Sequence, residues 1–179
     1  YVEAPYADDF ADALDRLHTT AASHERIMVL EVMGRNAGWI ALTAGVAGGA
    51  DAILIPEIPF DSQVIFDKIR ALRASGRRYS LIIVAEGAAP LDGEQEFYIQ
   101  GRTEEESKLG GIAQRVGAQI ADAIDAEVRV TVLGHLQRGG QPSPRDRWLA
   151  TTFGAEAVRL VAGAQWGQPG VRPRGQQGP

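Results

Sequence analysis

Apolar residues along the chain fall into short continuous runs that alternate with longer stretches of helical periodicity. The runs lie at residues 27–32, 52–55, 80–85 and 130–133, and each predicts a buried strand. Helical stretches lie at residues 7–22, 37–47, 61–76, 109–124 and from 144 onward. Strands that alternate with helices predict a three-layer α/β protein, with a mainly parallel sheet and helices on both faces.

Capping residues predict where several helices begin. Asn36 is the expected N-cap of the second helix, and Asp61 that of the third. Ser143 is followed by Pro144, which suits the first helical position, and Asp146 completes the spacing of a capping box. The last helix is therefore expected to begin at Pro144.

Two segments carry little apolar periodicity. Residues 88–107 are polar and rich in turn formers, which predicts a surface excursion. Residues 163–179 hold five Gly, three Pro and four Gln, which predicts a disordered tail. The expected organisation is one α/β portion over residues 1–162, followed by the tail.

Polar side chains follow the strands of the predicted sheet. Met33, Gly34 and Arg35 follow the first strand, Glu86 follows the third, and His135, Gln137 and Arg138 follow the fourth. Carboxyl ends of parallel strands share one edge, where open α/β sheets bind ligands. Arginine offers a planar fork for phosphate, and a carboxylate accepts hydrogen bonds from sugar hydroxyls. An anionic, hydroxyl-rich ligand is expected there, and ordinary solvated strand ends are the alternative.

Two further arginines begin strands instead of following them. Arg26 precedes the first strand and Arg129 begins the fourth, so both are expected at the opposite edge of the sheet. Surface ion pairs are the simpler interpretation of these two residues.

Composition narrows the class of protein. The net charge of −5 argues against nucleic acid as a partner, and the lack of cysteine excludes disulfides and thiolate metal sites. No signal peptide or membrane-length apolar run is visible, so a cytoplasmic protein is expected. The sequence also lacks a phosphate-binding G-x-x-x-x-G-K-[ST] loop and paired aspartates for magnesium, so it offers no metal site and no nucleotide cradle of its own.

Long motifs give the chain a family resemblance. Residues 31–39, 47–51 and 55–57, with Val84–Gly87 and the signature-like segment 132–147, resemble bacterial 6-phosphofructokinase. The resemblance covers about residues 7–162. It implies a phosphofructokinase-like fold and phosphoryl transfer to the 1-hydroxyl of fructose 6-phosphate in glycolysis, using Mg²⁺. ATP is the expected donor, and a pyrophosphate-dependent enzyme is the alternative.

The resemblance also implies roles for individual residues. Arg35 would stabilise charge on the transferring phosphoryl group, beside Met33 and Gly34 near the 1-hydroxyl. Glu86 would bind the sugar, and the segment His135, Leu136, Gln137 and Arg138 would bind the sugar and its 6-phosphate. Arg26 and Arg129 would reach the fructose 6-phosphate of an identical neighbouring subunit, in a dimer or tetramer.

Only the C-terminal half of the family pattern is present. The family's nucleotide loop, magnesium aspartate and catalytic aspartate precede the point where this chain begins, so Mg²⁺ and the donor would be bound mainly outside it. We therefore expect this chain alone to be inactive. A non-catalytic sugar-phosphate-binding or subunit-association module remains a further alternative. Near the effector site of allosteric family members, His18 stands where an arginine is often found, whereas Asp51 retains an acidic group. Whether effectors control this chain is therefore left open.

Overall fold

The computed structural model describes residues 7–91, 93, 95, 97–99 and 108–163. The chain divides into two compact units, one formed by residues 6–139 and the other by residues 140–179 with residues 1–5. The predicted tail lies outside the described residues, apart from Gly163.

The first unit contains a parallel sheet of four strands within its described part. The strands are β1 (Ile27–Val32), β2 (Ala52–Leu54), β3 (Ser80–Ala85) and β6 (Val128–Val132), in the spatial order β2-β3-β1-β6. β1 lies in the middle, with Ile27 opposite Ser80 on one side and Val128 on the other. All strands point the same way, so their carboxyl ends meet at one edge.

Helices cover both faces of this sheet. α1 (Ala7–His24) and α2 (Trp39–Ala47) bury Leu14 and Ala44 against one face. α3 (Ser62–Ala74) and α4 (Ile112–Ala123) bury Ile69 and Ile120 against the other. Alternate residues of β1 and β3 supply both cores, because successive side chains of a strand point to opposite faces. The predicted three-layer α/β fold is confirmed.

Two local predictions were wrong. The N-cap of α2 is Gly38, not Asn36, and the helix starts at Trp39. β6 spans residues 128–132 and is half exposed, with Val132 46% exposed, because it is an edge strand of the described sheet. Its apolar run had predicted full burial.

The predicted excursion over residues 88–107 contains secondary structure that periodicity did not reveal. β4 (Phe97–Ile99) pairs antiparallel with β5 (Lys108–Leu109) in a separate two-stranded sheet. The loop after β6 also forms a 3₁₀ turn over Gly134–Arg138. Both elements are short, and short elements give weak periodic signals.

The second unit contains α5 (Pro144–Ala162). The predicted capping box is confirmed: the Asp146 backbone N–H donates to the Ser143 hydroxyl at 3.2 Å, and the Ser143 N–H donates to the Asp146 carboxylate at 2.9 Å. None of the helix's residues is buried. Among the described residues, no helix has the length and apolar character needed to cross a membrane.

Candidate functional site

A cleft of about 860 Å³ opens at the carboxyl edge of the sheet. Its walls come from the segments after β1, β3 and β6 and from the start of α4. The charged or polar side chains that line it are Glu31, Arg35, Glu86, Gln114, His135, Gln137 and Arg138. Arg35, Glu86, His135, Gln137 and Arg138 follow parallel strands that end together, and they meet in one volume, as predicted.

The segment after β1 is fixed by hydrogen bonds to the other two loops. The Met33 N–H donates to the Gln137 side-chain oxygen at 2.9 Å. The Gly34 N–H points at Oε1 of Glu86, 3.4 Å away. The backbone that precedes Arg35 is therefore held by residues from the segments that follow both neighbouring strands.

Close backbone packing explains the glycines in this region. Gly34 has φ +149°, and a Cβ there would lie 2.8 Å from the Ala37 carbonyl oxygen. A Cβ on Gly87 would lie 1.9 Å from the Arg35 carbonyl oxygen. Gln95 joins the same two loops, because its Nε2 donates to Gly87 O at 2.9 Å and to Arg35 O at 3.3 Å. This packing fixes where the Arg35 side chain begins.

The 3₁₀ turn after β6 presents one buried and two exposed polar side chains. His135 and Arg138 are exposed and line the cleft. Gln137 is only 5% exposed, and none of the described residues accepts a hydrogen bond from its buried Nε2. Since its oxygen is used by Met33, the Nε2 group is left as a hydrogen-bond donor beside the cleft.

Glu31 is a buried carboxyl group in the cleft wall. It is 4% exposed, and its Oε2 accepts from the Ala113 N–H of α4 at 3.0 Å. Burial raises the pKa of Glu31; backbone hydrogen bonds from Ala113 and Gly111 oppose this, and the charge of Glu86 adds to it. β1 and the first turn of α4 are thereby joined beneath the cleft.

Arg26 and Arg129 lie at the opposite edge, as predicted. Arg26 directly precedes β1, and Arg129 is the second residue of β6, in register with Met28. Arg26 Nε donates to Glu127 Oε2 at 2.7 Å, and Arg129 also forms an ion pair with Glu127. The simpler interpretation of these arginines, surface ion pairs, thus describes their contacts within one chain.

The cleft gathers most of the predicted site residues, but not all. Gly34 and Leu136 do not line it, and Leu136 is 80% exposed. Gln114 and Gly110–Gly111 were not predicted: the glycine pair lay inside the helix predicted over residues 109–124, whereas α4 begins only at Ile112, after Gly111 as N-cap. No sequence pattern pointed to Glu127, because its contact with Arg26 depends on the pairing of strands that are distant in the sequence.

No metal centre is formed by the residues that the structure describes: no three His, Asp or Glu side chains among them lie close enough together to hold an ion. The described residues therefore offer no ligand set for the Mg²⁺ of the implied reaction.

Fold and cleft together define a parallel α/β protein with a cleft at the carboxyl edge of its sheet, lined by two arginines and two glutamates. The family model of phosphofructokinase, described as "Phosphofructokinase", matches residues 7–161. The chain belongs to the phosphofructokinase family.

Curated relatives agree on the activity in their names. The ATP-dependent 6-phosphofructokinase of Chloroflexus aggregans is 56% identical over 165 residues, which cover 92% of this chain and 44% of that protein. ATP-dependent 6-phosphofructokinase 1 of Synechocystis is 55% identical over 84% of this chain and 41% of its own length. The chain thus spans less than half the length of these relatives.

Solved structures give the same fold. Phosphofructokinase from Saccharomyces cerevisiae superposes with a TM-score of 0.70 at 36% identity, over 92% of this chain and 20% of that one. The pyrophosphate-dependent phosphofructokinase of Marinobacter aquaeolei also gives 0.70, at 25% identity over 90% of this chain and 39% of that one.

Proposed function

We propose that this chain supplies the fructose 6-phosphate site of an ATP-dependent 6-phosphofructokinase. The main support for this proposal is the cleft, which is lined by Arg35, Glu86, His135 and Arg138. Two guanidinium groups suit a phosphorylated ligand, and a carboxylate suits its hydroxyls. Membership of the family supports this assignment of the cleft over a generic anion site.

Each residue has a distinct proposed role. Arg138 and His135 bind the 6-phosphate end, and Glu86 accepts hydrogen bonds from sugar hydroxyls. The buried Nε2 of Gln137, which has no acceptor among the described residues, donates to the ligand. Arg35 faces the transferring phosphoryl group from a backbone fixed by Gly87 and Gln95, and stabilises the charge that develops there.

We propose that the phosphoryl donor binds to the part of the enzyme that this chain does not span. Mg²⁺, when bound there, would neutralise donor charge. ATP is favoured over pyrophosphate because the ATP-dependent curated relatives reach 56% identity, against 25% for the pyrophosphate-dependent structure. This chain alone is proposed to bind the sugar phosphate without turning it over. Its proposed location is the cytoplasm.

The partner proposed for this chain is an identical subunit. Arg26 and Arg129 lie at the edge away from the cleft, so they would serve the fructose 6-phosphate of a neighbouring copy. Their pairing with one carboxylate supports convergence on one small anion. Leu136, exposed beside the cleft, remains a proposed contact of the bound sugar.

Calorimetric titration of the 179-residue chain with fructose 6-phosphate tests the proposed function. Arg138→Ala should weaken binding by about 1.5–3 kcal/mol, the contribution of a hydrogen bond to a charged group. Arg159→Ala on α5 is the matched control, because it removes an equal charge from a surface pair with Glu156. Binding that is absent in the parent chain, or equal in the two variants, would contradict the assignment.

A further inference from the structure

Glu127 connects two arginines that belong to different strands. Arg26 directly precedes β1, and Arg129 lies near the start of β6. Arg26 donates to Oε2 of the Glu127 carboxylate and Arg129 donates to Oε1. The backbone fixes this arrangement: the Ile27 N–H donates to the Glu127 carbonyl at 3.0 Å, which places Arg26 beside Glu127. Arg129 follows Glu127 by two residues, so its side chain leaves the same side of the strand.

The Glu127 carboxylate reduces the repulsion between the two arginines. Two guanidinium groups side by side repel each other, and a shared anion between them removes the repulsion. Hydrogen bonding from Arg26, aided by the charges of both arginines, lowers the pKa of Glu127, so the group is ionised at neutral pH. The cluster keeps a net charge of +1.

The donors that remain can still bind a ligand. A guanidinium carries five N–H donors in a fixed fork. Arg26 reaches Glu127 through Nε and Arg129 through one Nη2, so each uses only one side of its fork for this pairing. Because Glu127 occupies only part of each fork, both guanidinium groups keep further N–H donors while they are held at one carboxylate.

We propose that Glu127 is a positioning residue, which orients Arg26 and Arg129 toward one phosphate group held by a second copy of the chain. The inference rests on the proposed function, because it presupposes that the arginines serve fructose 6-phosphate. It adds a residue outside the cleft whose effect on affinity is transmitted through both arginines.

Glu127→Gln is the informative substitution. Glutamine has nearly the same shape but only one acceptor oxygen, and its NH₂ group would face an arginine donor. Both arginines can no longer be held, so fructose 6-phosphate binding to the 179-residue chain should weaken about two- to five-fold, the range of exposed ion pairs. Glu127→Asp keeps both oxygens and should bind more tightly than Glu127→Gln.

Glu25→Gln is the matched control. It removes the same charge at the same edge, but Glu25 pairs with Arg78 at 3.0 Å instead of Arg26 or Arg129. Loss of negative charge by itself should leave phosphate affinity unchanged or slightly higher in this variant. In a chain that already carries Arg26→Ala and Arg129→Ala, Glu127→Gln should have no further effect.

The outcomes separate the two hypotheses. Absence of binding by the parent chain would refute the proposed function, and normal binding by the Arg26→Ala and Arg129→Ala variants would refute their role in it. If those variants bind weakly but Glu127→Gln binds as well as the parent or better, the positioning role is wrong. A loss in Glu127→Gln that persists without the arginines would also overturn it.

Discussion

Glu31 shows how one buried carboxyl group ties the cleft to the core. The group lies on the central strand and accepts a hydrogen bond from Ala113 in the first turn of α4, where the helix dipole favours an anion. Burial nevertheless dominates and raises the pKa of Glu31. The ionised form is therefore held in the folded state at an energetic disadvantage.

We predict that Glu31→Gln stabilises the chain relative to the parent as the pH rises. Below the ordinary carboxyl pKa of 4.5, Glu31 is protonated in both the folded and unfolded states. As the pH rises above it, the unfolded chain releases this proton first, so unfolding of the parent becomes easier. Glutamine keeps an acceptor oxygen for Ala113 and cannot ionise. Urea denaturation at pH 4 and pH 7 measures the difference.

The same two denaturation curves for Glu25→Gln, an exposed position, give the background from a changed net charge. A difference between parent and Glu31→Gln that stays constant with pH would contradict the raised pKa. A difference that shrinks toward neutral pH would mean that the hydrogen bonds from α4 outweigh burial.

Residues of the candidate site were predictable where strand order alone determines position. Arg35, Glu86, His135 and Arg138 each follow a strand, so a parallel sheet places them together. Glu127 was not predictable, because its pairing with Arg26 depends on which strand lies beside β6. Gln114 was missed for a related reason: only the packing of α4 on the sheet brings it to the cleft.

At the scale of elements, local signals succeeded when the cap came from the adjacent sequence. Asp61 caps α3 by accepting from the Gln63 N–H at 2.8 Å, as predicted. The predicted start of α2 was wrong because the acceptor at its N-terminus comes from a distant part of the sequence. The Gly38 N–H donates to the Glu57 carboxylate at 2.9 Å. A Cβ at Gly38 would lie 2.4 Å from the Ile55 side chain, so packing also selects glycine there.

The capping box of α5 leads to a prediction for that helix. Ser143→Ala removes the acceptor for the Asp146 N–H and the hydroxyl that donates to the Asp146 carboxylate at 2.8 Å. The first turn should lose about 0.5–2 kcal/mol of stability. Hydrogen exchange of the amides at residues 146–149 should become correspondingly faster.

Thr152→Ala is the control for this prediction. It also removes one hydroxyl from α5, but that hydroxyl donates to the Trp148 carbonyl inside the helix at 2.8 Å. Alanine is the better helix former, so exchange in the first turn should stay unchanged. Equal acceleration in both variants would show that the capping box does not stabilise α5.

At the scale of the whole molecule, the layer architecture followed from the strand and helix periods. β1 and β3 are buried along their full length, and uninterrupted apolar runs such as Ile27–Leu30 predict that environment. Sheet order was not predictable from periodicity, and the exposed position of β6 depends on it. The same order places Arg26 and Arg129 side by side at the start of neighbouring strands, far from the cleft.

The amino and carboxyl ends of the strands are too far apart for one ligand to contact both. β1 has six residues between Arg26 and Met33, and a strand rises about 3.3 Å per residue, so the edges lie roughly 20 Å apart. If Arg129 and Arg138 serve the same fructose 6-phosphate, they must come from different copies. A two-fold axis would then generate two equal sites, each with a cleft from one copy and an arginine pair from the other.

A mixing experiment tests this shared site. Arg138→Ala and Arg129→Ala should each weaken fructose 6-phosphate binding by about 1.5–3 kcal/mol when prepared alone. In a heterodimer of the two variants, one site combines both substitutions and the other combines neither. High-affinity binding should therefore return after subunit exchange, at one site per heterodimer. If sedimentation confirms exchange and calorimetry finds no recovered site, both arginines cannot belong to one shared site, and the partner role of Arg129 is wrong.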